Sequence, residues 1–317
     1  MYRVSFFLLL TMLLASCNNS SKPSVSYNSK SETLETRDVV VDSLPWDEVV
    51  EGWVLMGNKI ICKTPNRDNI YSVYDADSIS KLYSFGKEGH GSLEWVAPHL
   101  FVQNDSVALV FDNGTKSISS VKDDVISVNN RTPIKDAVND LKTINYPIVG
   151  YVSLTPDRQE LKIVNIENDS IVDRVAFEDK EGKGNSSLFD FAWNVHSNKI
   201  VLAHLHSNTF VIYTVDENGR IAQTDYFGEK EKFSEESFYY TDVQCGDDIY
   251  LLSQKNIDVE NMSGNSEIEV YNYEGKGKYK IVLNFIADKM LLDVKNKRLL
   301  LTSASDEQLH FVNLKKN

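Results

Sequence analysis

Leu82-Tyr83-Ser84-Phe85-Gly86-Lys87-Glu88-Gly89-His90-Gly91 is an alternating apolar strand that ends in a phenylalanine, runs into a glycine- and lysine-containing turn and is followed by an aromatic, Trp95. The same order of features returns twice. Arg174-Val175-Ala176-Phe177-Glu178-Asp179-Lys180-Glu181-Gly182-Lys183-Gly184 leads to Phe189, and Thr224-Asp225-Tyr226-Phe227-Gly228-Glu229-Lys230 leads to Phe233 or Phe238. Taking the first interval as two repeats and the second as one, the spacing of Phe85, Phe177 and Phe227 gives a period of about 46–50 residues, the scale of a propeller blade.

Each period holds four short strands, marked by alternation and by Asn, Asp and Gly at the turns. The fourth repeat is the clearest: Phe189–Val195, a turn at Ser197-Asn198, Ile200–His206, Phe210–Val215, a turn at Glu217-Asn218-Gly219, then Ile221–Phe227. The first runs from Trp53 to Phe85, the second from Leu100 to Val128, the third from Ala137 to Phe177 and the fifth from Tyr239 to Leu283. The sixth has only Met290–Val294, Arg298–Thr302 and Leu309–Val312. Leu34–Val41, whose Asp38-Val39-Val40-Val41 is strongly β-forming, supplies the missing outer strand beside Leu309–Val312 and closes the ring. The sequence therefore predicts an all-β chain: a six-bladed β-propeller of four-stranded antiparallel blades over residues 34–317.

Ahead of that domain, Met1-Tyr2-Arg3, an apolar run from Val4 to Leu14 and Ala15-Ser16-Cys17 have the layout of a secretory signal over residues 1–16. The run is too short to cross a bilayer of roughly 30 Å as a helix. Leu14-Ala15-Ser16-Cys17 resembles a lipobox, which implies a lipid-modified Cys17 as the new N-terminus and the bilayer as a partner. Residues 17–33, rich in Ser, Asn and Lys, read as a flexible tether. By resemblance to lipoprotein sorting rules, Asn18 after the cysteine implies an outer-membrane anchor with the domain on the periplasmic face, cell-surface display being the alternative.

Phe85-Gly86-Lys87-Glu88-Gly89-His90-Gly91-Ser92-Leu93-Glu94-Trp95, with the lipobox and the six-fold arithmetic, resembles the six-bladed TolB-like propeller lipoproteins of didermal bacteria. Ser92 stands where that motif often has proline. The resemblance implies a fold and no specific activity, because one propeller scaffold hosts unrelated functions.

With 46 acidic against 33 basic residues the formal net charge is −13, which repels phosphate backbones and argues against nucleic acid as a partner. Beyond Cys17, only Cys62 and Cys245 remain. They fall in the first and fifth repeats, too far apart for a bridge that needs Cα atoms within about 7 Å, and are expected as small buried hydrophobes.

Few residues carry a pattern that points to chemistry. His204-Leu205-His206 sets two imidazoles on one strand face, and Asp190 or Asp242 would complete a metal site, yet no third ligand is fixed by spacing. Exposed strand histidines are the favoured reading. Asp75-Ala76-Asp77 and Asp247-Asp248 lack the glycine and spacing of a calcium loop and read as turns. Gly182-Lys183-Gly184 and Gly275-Lys276-Gly277 open no helix and read as blade turns, and no nucleophile elbow is present. Trp53, Trp95, Phe189, Trp193 and Phe238 read as wedges between blades rather than a sugar-stacking platform. Asp42-Ser43-Leu44, Asp77-Ser78-Ile79, Asp105-Ser106-Val107 and Asp169-Ser170-Ile171 resemble a bacterial O-glycosylation pattern, but each sits where a turn would want Asp-Ser, and chance is the favoured reading. The expectation is a monomeric, membrane-tethered scaffold without cofactor that binds a protein or envelope component. The alternatives are a metal-dependent, lactonase-like hydrolase acting in the channel and a sugar- or peptide-binding sensor.

Overall fold

The computed structural model describes residues 23–314 except 32, 47, 67, 92–93, 123–124, 130–133, 155–158, 169, 178–190, 229–237, 259, 262 and 304. Two N-terminal strands, β1 (Ser24–Asn28) and β2 (Val41–Pro45), precede the first blade, β3 (Gly52–Met56), β4 (Lys59–Lys63), β5 (Tyr71–Asp75) and β6 (Lys81–Phe85). A short parallel pair, β7 (Lys87–Glu88) and β8 (Glu94–Trp95), leads to blade two: β9 (Pro98–Asn104), β10 (Val107–Asp112), β11 (Ser117–Lys122) and β12 (Val125–Asn129). Blade three is β13 (Ala137–Asn145), β14 (Ile148–Leu154), β15 (Gln159–Asn165) and β16 (Ser170–Phe177), and blade four is β17 (Phe191–His196), β18 (Lys199–His204), β19 (Phe210–Val215) and β20 (Ile221–Phe227). Blade five is β21 (Tyr240–Cys245), β22 (Ile249–Ser253), β23 (Glu267–Tyr271) and β24 (Gly277–Val282); blade six has β25 (Lys289–Asp293), β26 (Arg298–Thr302) and β27 (Gln308–Asn313). All described strands within a blade pair antiparallel in sequence order, and each innermost strand neighbours the next around a closed circle, β25 returning to β3. The protein is a six-bladed β-propeller.

The blades pack through apolar layers, one between every neighbouring pair. Ile61, Tyr71, Val73 and Phe85 of blade one meet Trp95, Ala108 and Val110 of blade two. Ile60, Cys62 and Tyr74 of blade one meet Leu291, Leu300 and Leu309 of blade six. Successive residues of a middle strand thus serve opposite layers, the period-two rule applied to a sheet covered on both faces.

Trp95 explains the repeat motif. Its ring is buried edge-on to Phe85 and Tyr71, with centroids 6.3 and 6.0 Å away, and its Nε1 donates to Ser119 Oγ at 3.3 Å. Gly86 turns the chain with φ +80°, and a Cβ there would strike the tryptophan ring. Glycine supplies both the left-handed backbone and the space.

Three expectations need correction. The ring is closed by an N-terminal strand as expected, but that strand is Val41–Pro45 rather than Leu34–Val41, paired Val41↔Val312 to Pro45↔Gln308. Val39 and Val41 instead pack against the layer between blades five and six, and Val40 faces solvent. The alternating Asp42-Ser43-Leu44 suffices for an outer strand, Ser43 Oγ meeting His310 Nδ1 at 2.8 Å. Residues 17–33 are not all tether: Ser24–Asn28 forms β1, a fifth strand parallel to β20, and Lys30 is buried. Blade two begins at Pro98 rather than Leu100; Phe189, the expected start of blade four, and Phe233 lie outside the described residues.

Trp95→Ala is expected to lower unfolding free energy by about 3–5 kcal/mol, the range for emptying a large buried aromatic site, and Gly86→Ala by about 1–3 kcal/mol from backbone strain alone. Urea denaturation of the two variants checks both values.

Candidate binding site in the central channel

The innermost strands enclose a channel of about 720 Å³, within the size range of small-ligand pockets. Its wall is built by a recurring device. Asp140, Asn194 and Asp242 occupy matching positions on β13, β17 and β21, and each side-chain oxygen accepts the N–H of the following residue, at 2.9, 2.7 and 2.7 Å. On β13 and β21 the pairing register shifts just before or around this position, as a bulge does when it re-aims a side chain.

From there the side chains bridge blades. Asn194 Nδ2 donates to Val243 O at 2.9 Å, and Asp242 Oδ2 accepts the Met290 N–H at 2.7 Å. Gln244 Oε1 accepts the Leu292 N–H at 3.3 Å, Trp53 Nε1 donates to Met290 O at 3.2 Å, and the Thr143 hydroxyl donates to Val102 O. Innermost strands of adjacent blades are not paired by their own backbones, so these side chains satisfy groups that a buried strand edge would otherwise leave open.

Charges in the channel are largely matched. Lys63 pairs with Glu51 at 3.0 Å and Lys142 with Asp140 at 2.8 Å. The Lys142 ammonium also lies 5.2 Å from the Trp193 ring centroid. Burial pushes the Asp242 carboxyl above the usual carboxylate range, and the Met290 and Val243 N–H groups, with Lys289 and Lys142 nearby, only partly offset it. Burial likewise holds His99 below the ordinary histidine value; its Nε2 lies 2.9 Å from Asn113 Nδ2. Trp53, Phe191 and Trp193 add aromatic surface to the wall. The result is a mixed lining of amide, charge-paired and aromatic groups, suited to holding a polar ligand or an inserted loop by hydrogen bonds.

His204 ends β18 and His206 lies two residues beyond, its ring 5.2 Å from Phe238. Asp242 is in the channel, committed to two backbone N–H groups, and Asp190 lies outside the described residues. Among the described residues no group of three or more His, Cys, Asp or Glu is placed to hold a metal. Both histidines, expected to be exposed, are half-buried, and burial lowers the His204 imidazole to about 4.

The aspartate turns behave as turns. Asp75 Oδ1 accepts from the Asp77 and Ser78 N–H groups and the Ser78 hydroxyl, at 3.1, 2.8 and 2.8 Å; Asp248 pairs with Lys278 at 2.5 Å. Gly275 lies in the β23–β24 turn and Gly277 opens β24, whereas Gly182, Gly184, Asp169 and Cys17 lie outside the described residues. Of the aromatic set, Trp95 is a wedge, while Trp53 and Trp193 serve both as packing and as channel wall. Of the channel residues missed from sequence, Asn194 is level with Asp140 and Asp242, Lys142 and Gln244 each lie two residues further along their strands, and Thr143 adjoins Lys142. Superposing repeats on the innermost strand is the signal that finds them.

Cys62 and Cys245 are free and lie in blades one and five; burial pushes both thiols up to about 12. Neither is expected to react with iodoacetamide at pH 7.5 until the protein is unfolded, as intact-mass analysis in native and denaturing buffer will show. His204, with a folded-state value below its unfolded one, binds its proton more weakly when folded. Stability is therefore expected to fall on acidification from about 6.5 to about 4, and His204→Gln to flatten that part of a pH–stability profile measured in urea.

No family model matches the chain, and no curated protein does either. Solved structures do. A Bacteroides fragilis protein named as exported is 12% identical with a TM-score of 0.60, over 93% of this chain and 100% of the other. The β-propeller domain of Cps50 (Swd1) from Myceliophteria thermophila is 8% identical with a TM-score of 0.51, over 87% and 100%. Hsv2 of Kluyveromyces lactis is 10% identical with a TM-score of 0.51, over 86% and 75%. At such identities the likeness is one of fold: this chain shares the propeller architecture of proteins with unrelated names.

Proposed function

We propose that this protein is an extracytoplasmic binding scaffold, anchored to the outer membrane through a lipid on Cys17, whose channel and adjoining rim receive a protein or envelope component. The observation that carries the reading is the use made of the channel's polar side chains. Asn194, Asp242, Gln244, Thr143 and Trp53 tie one blade to the next instead of meeting at a point where a reacting atom would sit, which a catalytic constellation requires. A rigid frame with an open, aromatic and hydrogen-bonding channel remains. The signal-like leader, the lipobox-like Leu14-Ala15-Ser16-Cys17 and the exported name of the Bacteroides fragilis neighbour support the location, and the 85–95 motif supports the TolB-like likeness.

Two experiments test the two halves. Cys17→Ser is expected to abolish incorporation of labelled palmitate and to release the protein from the membrane fraction; membrane retention of an unlabelled variant would overturn the anchor. A photo-crosslinking residue placed at Lys142 or Lys289 in the channel is expected to capture a reproducible partner in cells, and one placed at Lys87 outside it is not. Equal labelling from all three positions, or turnover of a small substrate without any partner, would overturn the scaffold.

A further inference from the structure

The segment before the first blade runs along the outer edges of three consecutive blades. β1 pairs with β20 of blade four from Ser24↔Gln223 to Asn28↔Phe227, Ser26 Oγ donates to Asp225 Oδ1 at 2.5 Å, and Tyr27 stacks on Tyr226 at 4.9 Å. The chain then crosses to blade five, where Thr36 bridges Lys280 of β24. The Arg37 N–H donates to Lys280 O at 2.8 Å and the Lys280 N–H to Glu35 O at 2.9 Å. Finally β2 completes blade six.

These three attachments are not equivalent. Blade six has three strands of its own and needs β2, whereas blades four and five each have four without any help. Lifting residues 24–40 would leave six whole blades and a closed ring. β1 also buries little: Val25 and Tyr27 are 54% and 59% exposed.

Further along, Leu34 and Val39 pack partly buried on the layers beside blade five, and Lys30 goes deepest. Its side chain is 4% exposed and enters a socket between blades four and five, where the ammonium donates to Asn208 Oδ1 and Tyr240 Oη and pairs with Glu269 at 3.4 Å. The faces of Tyr240 and Tyr271 lie 4.7 and 5.3 Å from it. The socket is satisfied without its occupant. Glu269 also takes the Tyr240 and Tyr271 hydroxyls at 2.8 and 2.9 Å and Lys255 at 2.5 Å, so withdrawal of Lys30 strands no uncompensated buried carboxylate, the main cost of breaking a buried ion pair. A side chain that plugs a self-sufficient socket, on a segment the blades do not need, has the design of a catch.

We propose that residues 24–40 are a releasable strap locked by Lys30, and that release of the strap sets how far the propeller stands from the membrane that holds Cys17. The second half rests on the anchor proposed above. With the strap closed, the seven peptide steps from Cys17 to Ser24 reach at most about 24 Å; with it open, the twenty-four steps to Val41 reach at most about 80 Å.

Hydrogen exchange on the full-length chain, read by mass spectrometry, tests the lock. Amides of 24–28 are expected to exchange through an opening that leaves 41–45 and the blade strands protected. Lys30→Met is expected to speed that opening roughly tenfold or more, the factor of one hydrogen bond to a charged group, with the urea midpoint of the propeller unchanged. Exchange of 24–28 only at the rate of global unfolding, or no response to Lys30→Met, would overturn the strap. On phospholipid vesicles carrying an acceptor dye, the lipidated chain with a donor at Lys87 is expected to lose energy transfer on Lys30→Met. Unchanged transfer despite faster exchange would overturn the tether-length half alone. Failure of the wild type to associate with vesicles would overturn the anchor and with it that half, leaving the exchange result to stand for the strap.

Discussion

Every middle strand of this protein is covered on both faces, and most of the architecture depends on that constraint. In Lys199–His204, Ile200 and Leu202 pack toward blade three while Val201 and Ala203 pack toward blade five. In Arg298–Thr302, Leu299 and Leu301 serve one layer and Leu300 the other. Such strands must be apolar at consecutive positions, so a blade alone would expose two greasy faces. The only arrangement that hides both faces of every blade without end caps is a ring, and a ring needs its last blade finished.

The same constraint decides what was legible in the sequence. Double-sided burial produces runs such as Ile60-Ile61-Cys62 and Leu299-Leu300-Leu301, and the outer strands alternate, so the blades and their number could be read from residues alone. The motif at 85–95 was legible too, because Gly86 and Trp95 answer one another sterically. The strap was not. Ser24–Asn28 needs only to offer hydrogen bonds to one exposed edge, and its Ser-Val-Ser-Tyr-Asn composition is that of a solvated linker. The closing strand was misplaced by the same logic: an outermost strand with one free edge selects for alternation, and the stronger β-former at 39–41 went to bridging two blades.

The channel was the least legible part. Asp140, Asn194 and Asp242 are unremarkable in their local sequence, and only the fold places them at one level on three neighbouring strands. The histidine pair, by contrast, stands out locally, yet His204 ends β18 half-buried while Asp242 lines the channel with its carboxylate on two backbone N–H groups. A polar residue in a propeller takes its meaning from its rank within the repeat rather than from its immediate neighbours. Lys30 belongs to the same class: a lysine among serines and asparagines, unexceptional until the chain folds it against Glu269, whose carboxyl, despite burial, Lys30 and Lys255 hold at about 2.

The pairing of Val41–Pro45 with Gln308–Asn313 also governs the order of assembly. The chain's first essential strand must wait for its last, which lies some 260 residues further along the chain. For that interval blade six does not exist, and the apolar flanks of blades one and five that it will cover have no partner. Long-range pairing of this kind slows folding because loop closure precedes any gain from contact. Five blades hold all their own strands and can form ahead of the sixth, but the circle closes only when Val41–Pro45 meets the last strand, and until then the protein is an open arc with two sticky ends.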